Sequence, residues 1–369
     1  MEALDLILQK AISLGATDIH LAPNKLPVYR VKRNLVFDQS KLPLTKIKLE
    51  QILDYFSEKI PNLKSHFENF KQADFSYSYG GHRFRINVSL TKGIPTFSIR
   101  VIPNGKISIR DMGLYDIINK MKKIKGGLIL LTGKVNSGKS TTLSAFIQEI
   151  NATENKKIVT LEDPIEYEHE SDKSIIIQKE IGKESDVISY HDGLINLLRE
   201  DADIAVLGEI RDKDTMDVAI DLAESGGLVI GTLHTRSCGE TIERIINMYD
   251  SQDQAAVKNS LSSILKLVVS QKLIVSTRNE LLMVPEIMLV NNTLASLIRS
   301  EGFSVSEIED NIHLQGDLGC VSFETSFANL YIRGLVSMAT IKEQMDASRL
   351  STIKSLIISE GLDVDDDKT

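Results

Sequence analysis

Residues 126–150 read GGLILLTGKVNSGKSTTLSAFIQEI. An uncharged apolar run, a glycine-bounded turn and a helical stretch follow one another without interruption. The order strand–loop–helix constrains the fold more tightly than any other stretch of the chain. Within it, Gly133-x4-Gly138-Lys139-Ser140 is the phosphate-loop pattern. Glycine lets the backbone curl so that successive N–H groups face an anion, and the helix N-terminus adds a positive dipole end. In this reading residues Gly133, Lys134, Val135, Asn136, Ser137, Gly138, Lys139, Ser140 and Thr141 cradle the phosphates. Lys139 is a point charge for the β and γ phosphates of ATP, and Ser140 offers its hydroxyl to Mg²⁺.

The rest of the chain is organised around that core. Buried apolar runs at 128–131, 157–161, 204–207 and 228–231 alternate with helical stretches. That texture predicts a mostly parallel sheet with helices on both faces. Upstream the texture differs. Residues 2–14 have helical apolar spacing and meet a stop at Gly15; five short alternating runs then predict an antiparallel sheet. Between them, residues 45–70 read as two helices broken near Pro61. The expected division is a small α+β domain over 1–103, a linker over 104–112, a phosphate-loop core over 113–275, and a mostly helical C-terminal region over 276–369 with an acidic tail. From about residue 255 the pattern reads as largely helical, with a short strand between Met283 and Met288.

A phosphate loop needs further groups at the strand ends, where a doubly wound sheet gathers its ligand. Glu162 and Asp163 close the run IVTLEDPIEYEHE, and Glu209 follows the run in DADIAVLGEIRD. Either acid fits a general base or a Mg²⁺ contact. We assign Glu162 as the base that polarises water and Glu209 to the metal through water; the reverse assignment is the alternative. His234 follows a further run in GGLVIGTLHT, where it can sense or donate to a γ-phosphate.

Composition narrows the class. The net charge is −8, which disfavours a general nucleic-acid binder, and Trp is absent. Cys238 and Cys320 are the only cysteines, which excludes a four-cysteine zinc site and a disulfide framework. No apolar run approaches the roughly 20 residues needed to span a bilayer. The N-terminal residues lack a basic n-region and a cleavage site, so the expected compartment is the cytoplasm.

The segments GKVNSGKSTT, TLEDPIEYEH, LLREDADIAVLGEIRD and GGLVIGTLHT stand in the order of the Walker A, Asp, Walker B and His boxes of the type II/type IV secretion ATPases. ATDIHLAP and the strand pair FRINVSL and SIRVIP resemble that family too, so the resemblance covers nearly the whole chain. Within the family, a start directly in the domain that bears ATDIHL, the absence of four cysteines and the C-terminal region resemble the retraction ATPases of type IV pili. Two departures stand out. The usual GPTGSGKST reads GKVNSGKST, with Asn136 in place of a glycine, and the retraction-associated AIRNLIRE reads LASLIRSE, with Leu294-Ala295-Ser296. Asn tolerates left-handed φ better than most residues.

The resemblance implies a PAS-like N-terminal domain, a RecA-like P-loop ATPase domain and a helical C-terminal end. It implies a homohexamer on the inner face of the cytoplasmic membrane that powers pilus retraction against a polytopic platform protein, beside a companion assembly ATPase. It also implies that Arg85 and Arg100, with Arg83 as a weaker third, reach the phosphates from N-terminal strands. An assembly ATPase of a pilus or competence pseudopilus is the alternative, and a nucleotide-gated scaffold with little turnover is the second.

Overall fold

The computed structural model describes residues 2–31, 34–102, 109, 113–182 and 186–362. The linker expected at 104–112, apart from Ile109, and the last seven residues of the acidic tail lie outside the described residues. The chain divides into two compact units. One comprises residues 1–105, 162–168 and 179–188; the other comprises 106–161, 169–178 and 189–369.

The smaller unit runs α1 (Glu2–Leu14), β1 (Asp18–Leu21), β2 (Val28–Val31), β3 (Asn34–Phe37), α2 (Lys46–Lys59), α3 (Leu63–Phe70), β4 (Gln72–Tyr79), β5 (His82–Thr91) and β6 (Ile94–Val101). Its six strands form one antiparallel sheet in the order β3-β2-β1-β6-β5-β4. Period-2 alternation sends one set of side chains to each face. Ile19, Phe84, Ile86, Phe97 and Ile99 go inward, under Leu8 of α1, Phe56 of α2 and Phe67 of α3. Phe56 anchors this core, 5.2 Å from the rings of both Phe75 and Tyr77. The other face is polar. Arg30, Asp18, Arg100, Arg85 and Ser76 stand in register across five neighbouring strands. The exposed edge strand β3 was not foreseen; it carries no buried residue and so no alternation to read.

The larger unit runs α4 (Tyr115–Lys123), β7 (Gly127–Thr132), α5 (Lys139–Thr153), β8 (Lys157–Glu162), β9 (Ile175–Glu180), α6 (Tyr190–Leu197), β10 (Ile204–Leu207), α7 (Lys213–Glu224), β11 (Leu228–Leu233), α8 (Cys238–Ile246), α9 (Gln254–Ile264), β12 (Leu265–Val275) and β13 (Leu281–Leu289). Its sheet has the order β13-β12-β7-β11-β10-β8-β9. β12, β7, β11, β10 and β8 are mutually parallel. Every residue of β7, β10 and β11 is buried, as in sheets covered on both faces. Ile129 and Leu131 of β7 meet Leu143, Phe146 and Ile150 of α5. Helices α7 and α8 pack on β7, β11 and β12.

One expectation is corrected here. The chain does not become largely helical from residue 255: α9 passes into β12 at Leu265 without a break. β12 pairs with β7 and turns back as β13, which extends from Leu281 to Leu289, so the sheet continues past residue 275. The apolar run LKLVVSQKLIV suits a buried helix or a buried strand equally; its open partner β7 decides. Pro285 is accommodated because β13 is the edge strand. The last helices are α10 (Asn292–Arg299), α11 (Val305–Leu314), α12 (Phe323–Ile332), α13 (Met338–Gln344) and α14 (Ala347–Ser359); α10 packs on α9 and α11 on α8, while α12, α13 and α14 cover the hairpin. Phe323 and Phe327 of α12 join Ile274, Val284 and Ile353 in their core.

β13 also carries a buried carboxylate. Glu286 is 2% exposed and accepts the Cys238 N–H at the start of α8 at 2.6 Å. Burial pushes its pKa up to about 7, from an ordinary 4.5. The native state therefore holds this proton more tightly than the unfolded chain does, and stability falls as pH rises through that window. Glu286→Gln should flatten the decline and raise the melting temperature at pH 8, read by thermal unfolding between pH 5 and 8.

Candidate nucleotide site

β7 ends at Thr132 and α5 begins at Lys139; the loop between them turns where the backbone demands glycine. Gly133 has φ +145° and Gly138 φ +92°. A Cβ on Gly133 would overlap the Ser137 side chain and come within 2.5 Å of the Gln271 carbonyl oxygen. Asn136 takes φ +63°, the left-handed conformation its substitution for glycine requires. Lys134, Val135 and Asn136 face outward, whereas Ser137 and Lys139 are buried.

The Lys139 ammonium curls over the loop. It donates to the Gly133 carbonyl at 2.8 Å and the Lys134 carbonyl at 3.1 Å, and lies 3.3 Å from His234 Nδ1. His234 Nε2 is in turn 3.3 Å from Glu209 Oε1. A ring proton on Nε2 satisfies both contacts, since the ammonium can only donate and the carboxylate can only accept. The structure thus joins Lys139, His234 and Glu209 directly.

The strand order explains the meeting. β7, β11, β10 and β8 are neighbours in the sheet, and their C-terminal ends lead to Lys139, His234, Glu209 and Glu162 respectively. Four segments far apart in sequence therefore contribute side by side along one edge, where α/β sheets bind ligands. Glu162 is the last residue of β8, half-buried, and its carbonyl accepts the Ile181 N–H at 2.7 Å.

Arg85 and Arg100 belong to the smaller unit. They are cross-strand partners on its polar face. Arg85 Nη2 lies 2.8 Å from Asp74 Oδ2, and Arg100 Nε 3.4 Å from Asp18 Oδ1. Arg83, on the same face, is paired far more heavily, to Glu168 and Glu180.

Two polar residues escaped the sequence reading. Arg211 holds Glu209 Oε2 at 2.7 Å, through Nη2. Its nearness in GEIRD is a signal, but an exposed arginine beside an acid is common. Gln271, on β12, donates to Thr142 Oγ1 of α5 at 2.7 Å. Nothing in the sequence marks it, because only the β12–β7 pairing brings it under the loop.

Residues 1–300 match the type II/IV secretion system protein family. The chain belongs to that family. It is 33% identical to the type IV pilus retraction ATPase PilT of Pseudomonas aeruginosa, over 89% of this chain and 94% of that protein. It is 34% identical to a twitching motility protein of Neisseria gonorrhoeae, over 72% of this chain and 71% of that one. The crystal structure of the pilus retraction motor PilT with bound ADP superposes with a TM-score of 0.83 at 34% identity, covering 94% of this chain and 98% of that one. The chain is accordingly an ATPase of this family. Among the described residues no helix is long and apolar enough to cross a membrane.

Lys139→Ala should abolish ATP hydrolysis. Loss of charge-assisted hydrogen bonds of about 1.5–3 kcal/mol should weaken nucleotide binding roughly 10- to 100-fold. Binding of a fluorescent ATP analogue and phosphate release check both; near-normal turnover would refute the site.

Proposed function

We propose that this chain is the motor that hydrolyses ATP to power retraction of type IV pili, and hence twitching motility. The observation that carries the reading is the row of four strand ends bearing Lys139, His234, Glu209 and Glu162, in a chain similar over nearly its whole length to a retraction ATPase. The motor works as a homohexamer at the inner face of the cytoplasmic membrane, against an integral platform protein and beside a companion assembly ATPase.

The residues fit a magnesium nucleotide. Ser140 at the start of α5 and Glu209 offer oxygen, the donor Mg²⁺ takes, and the phosphates and water complete such a shell. No group of three His, Cys, Asp or Glu among the described residues forms a separate cage for a metal. When bound, the ion would neutralise charge on the phosphates. Lys139 draws on the β and γ phosphates, and Glu162 takes the proton of the attacking water. His234 relays the presence of the γ-phosphate between Lys139 and Glu209, the two groups it touches. Arg85 and Arg100 neutralise charge developing in the transition state. Their carboxylate partners leave them more than a third exposed, so exchanging those partners for a phosphate costs little.

A strain lacking the protein should show more or longer pili; loss of pili would mean assembly instead. Purified Glu162→Gln should hold ATP and turn over poorly. Normal hydrolysis by Glu162→Gln, with a stall in Glu209→Gln, would reverse the two roles.

Arg100→Ala should bind a nonhydrolysable analogue and still assemble, yet lose on the order of 10³-fold in turnover. Arg100→Lys should recover little, lacking the planar fork. Size-exclusion chromatography and steady-state kinetics read the outcome, and full turnover in Arg100→Ala would remove it from the site.

A further inference from the structure

Arg83 is committed in a way its neighbours are not. Its Nε donates to the Ile165 carbonyl at 2.7 Å, Nη1 to Glu168, and Nη2 to Glu180 Oε2 at 2.9 Å. Glu180 Oε2 also accepts the Ile165 N–H at 3.3 Å and the Ser76 hydroxyl at 3.2 Å. Both backbone polar groups of Ile165 are therefore gripped, one by the guanidinium and one by the carboxylate, and those two grip each other. The Arg83 and Glu180 side chains are 17% and 19% exposed, against 35% and 48% for Arg85 and Arg100. A guanidinium with its fork spent on three protein acceptors is not free to reach a phosphate.

The gripped residue lies just past the end of β8. From the other side, Ile181, next to Glu180, donates its N–H to the Glu162 carbonyl at 2.7 Å. The segment leaving β8 is thus fastened at Glu162, at Ile165 and at Glu168, by side chains and backbone of β5 and of residues 180–181.

We propose that Arg83 and Glu180 are positioning residues for hydrolysis, closing a ring through Ile165 that fixes the segment carrying Glu162. The inference rests on reading Glu162 as the base. A displacement of about 1 Å at a reacting group can cost on the order of 10²-fold in rate while substrate binding is untouched. A clamp acting only through Glu162 should accordingly appear in kcat and not in KM.

The test uses the full chain with ATP and Mg²⁺. Arg83→Ala and Glu180→Gln should each lower kcat roughly 10- to 100-fold, leaving KM and binding of a nonhydrolysable analogue within about threefold. Arg83→Lys should recover little, because one ammonium cannot serve the Ile165 carbonyl and two carboxylates together. In a Glu162→Gln background the same substitutions should have almost no further effect on residual turnover. Glu180→Gln keeps its shape and serves where Arg83→Ala fails to fold. Turnover within threefold of the parent, a parallel loss of analogue binding, or an equal loss in both backgrounds would overturn the clamp. Normal turnover by Glu162→Gln alone would instead refute the base, and separates that failure from this one.

Discussion

The larger unit depends on β7. Its neighbours β12 and β11 pair with it on either side, its residues are all buried, and its last residue delivers the chain into the phosphate loop. A strand so enclosed cannot shift register without putting side chains of different size into close-packed neighbours on both faces. The loop thus begins where β7 ends between β11 and β12, and α5 sets where it ends. Gln271 adds a tie from β12 to α5 through Thr142.

Because the neighbouring strands are parallel, their C-terminal ends share that edge. This is how Lys139, His234 and Glu209 come into contact although 95 residues separate the lysine from the histidine. Side-chain chemistry alone would not produce such a chain. An ammonium, an imidazole and a carboxylate placed in line hold one another in orientation at the C-terminal ends of β7, β11 and β10.

The smaller unit solves a different problem. Its sheet buries one face under three helices and leaves the other lined with arginine and carboxylate in register. Asp18 stands between Arg30 and Arg100 in that row, and Arg85, directly opposite Arg100, takes Asp74 of β4 as its counter-charge. The depth of pairing then separates roles: Arg85 and Arg100 keep one carboxylate each, while Arg83 is absorbed into the segment after β8.

Much was legible in the residues alone. The phosphate loop, the parallel strands of β7, β8, β10 and β11, the break at Pro61 and the antiparallel N-terminal sheet all follow from local rules: period, glycine placement and proline. The left-handed Asn136 was readable as well, since its side chain tolerates that φ. What the residues could not decide was anything set by a partner distant in sequence. LKLVVSQKLIV becomes a strand because β7 has an open edge, Glu286 holds its proton more tightly than a free carboxyl because burial beside the start of α8 shuts it from water, and Arg83 becomes a clamp because Glu180 and Ile165 lie within reach. Local preference is a property of a few residues; pairing, burial and the availability of a charge belong to the packed chain.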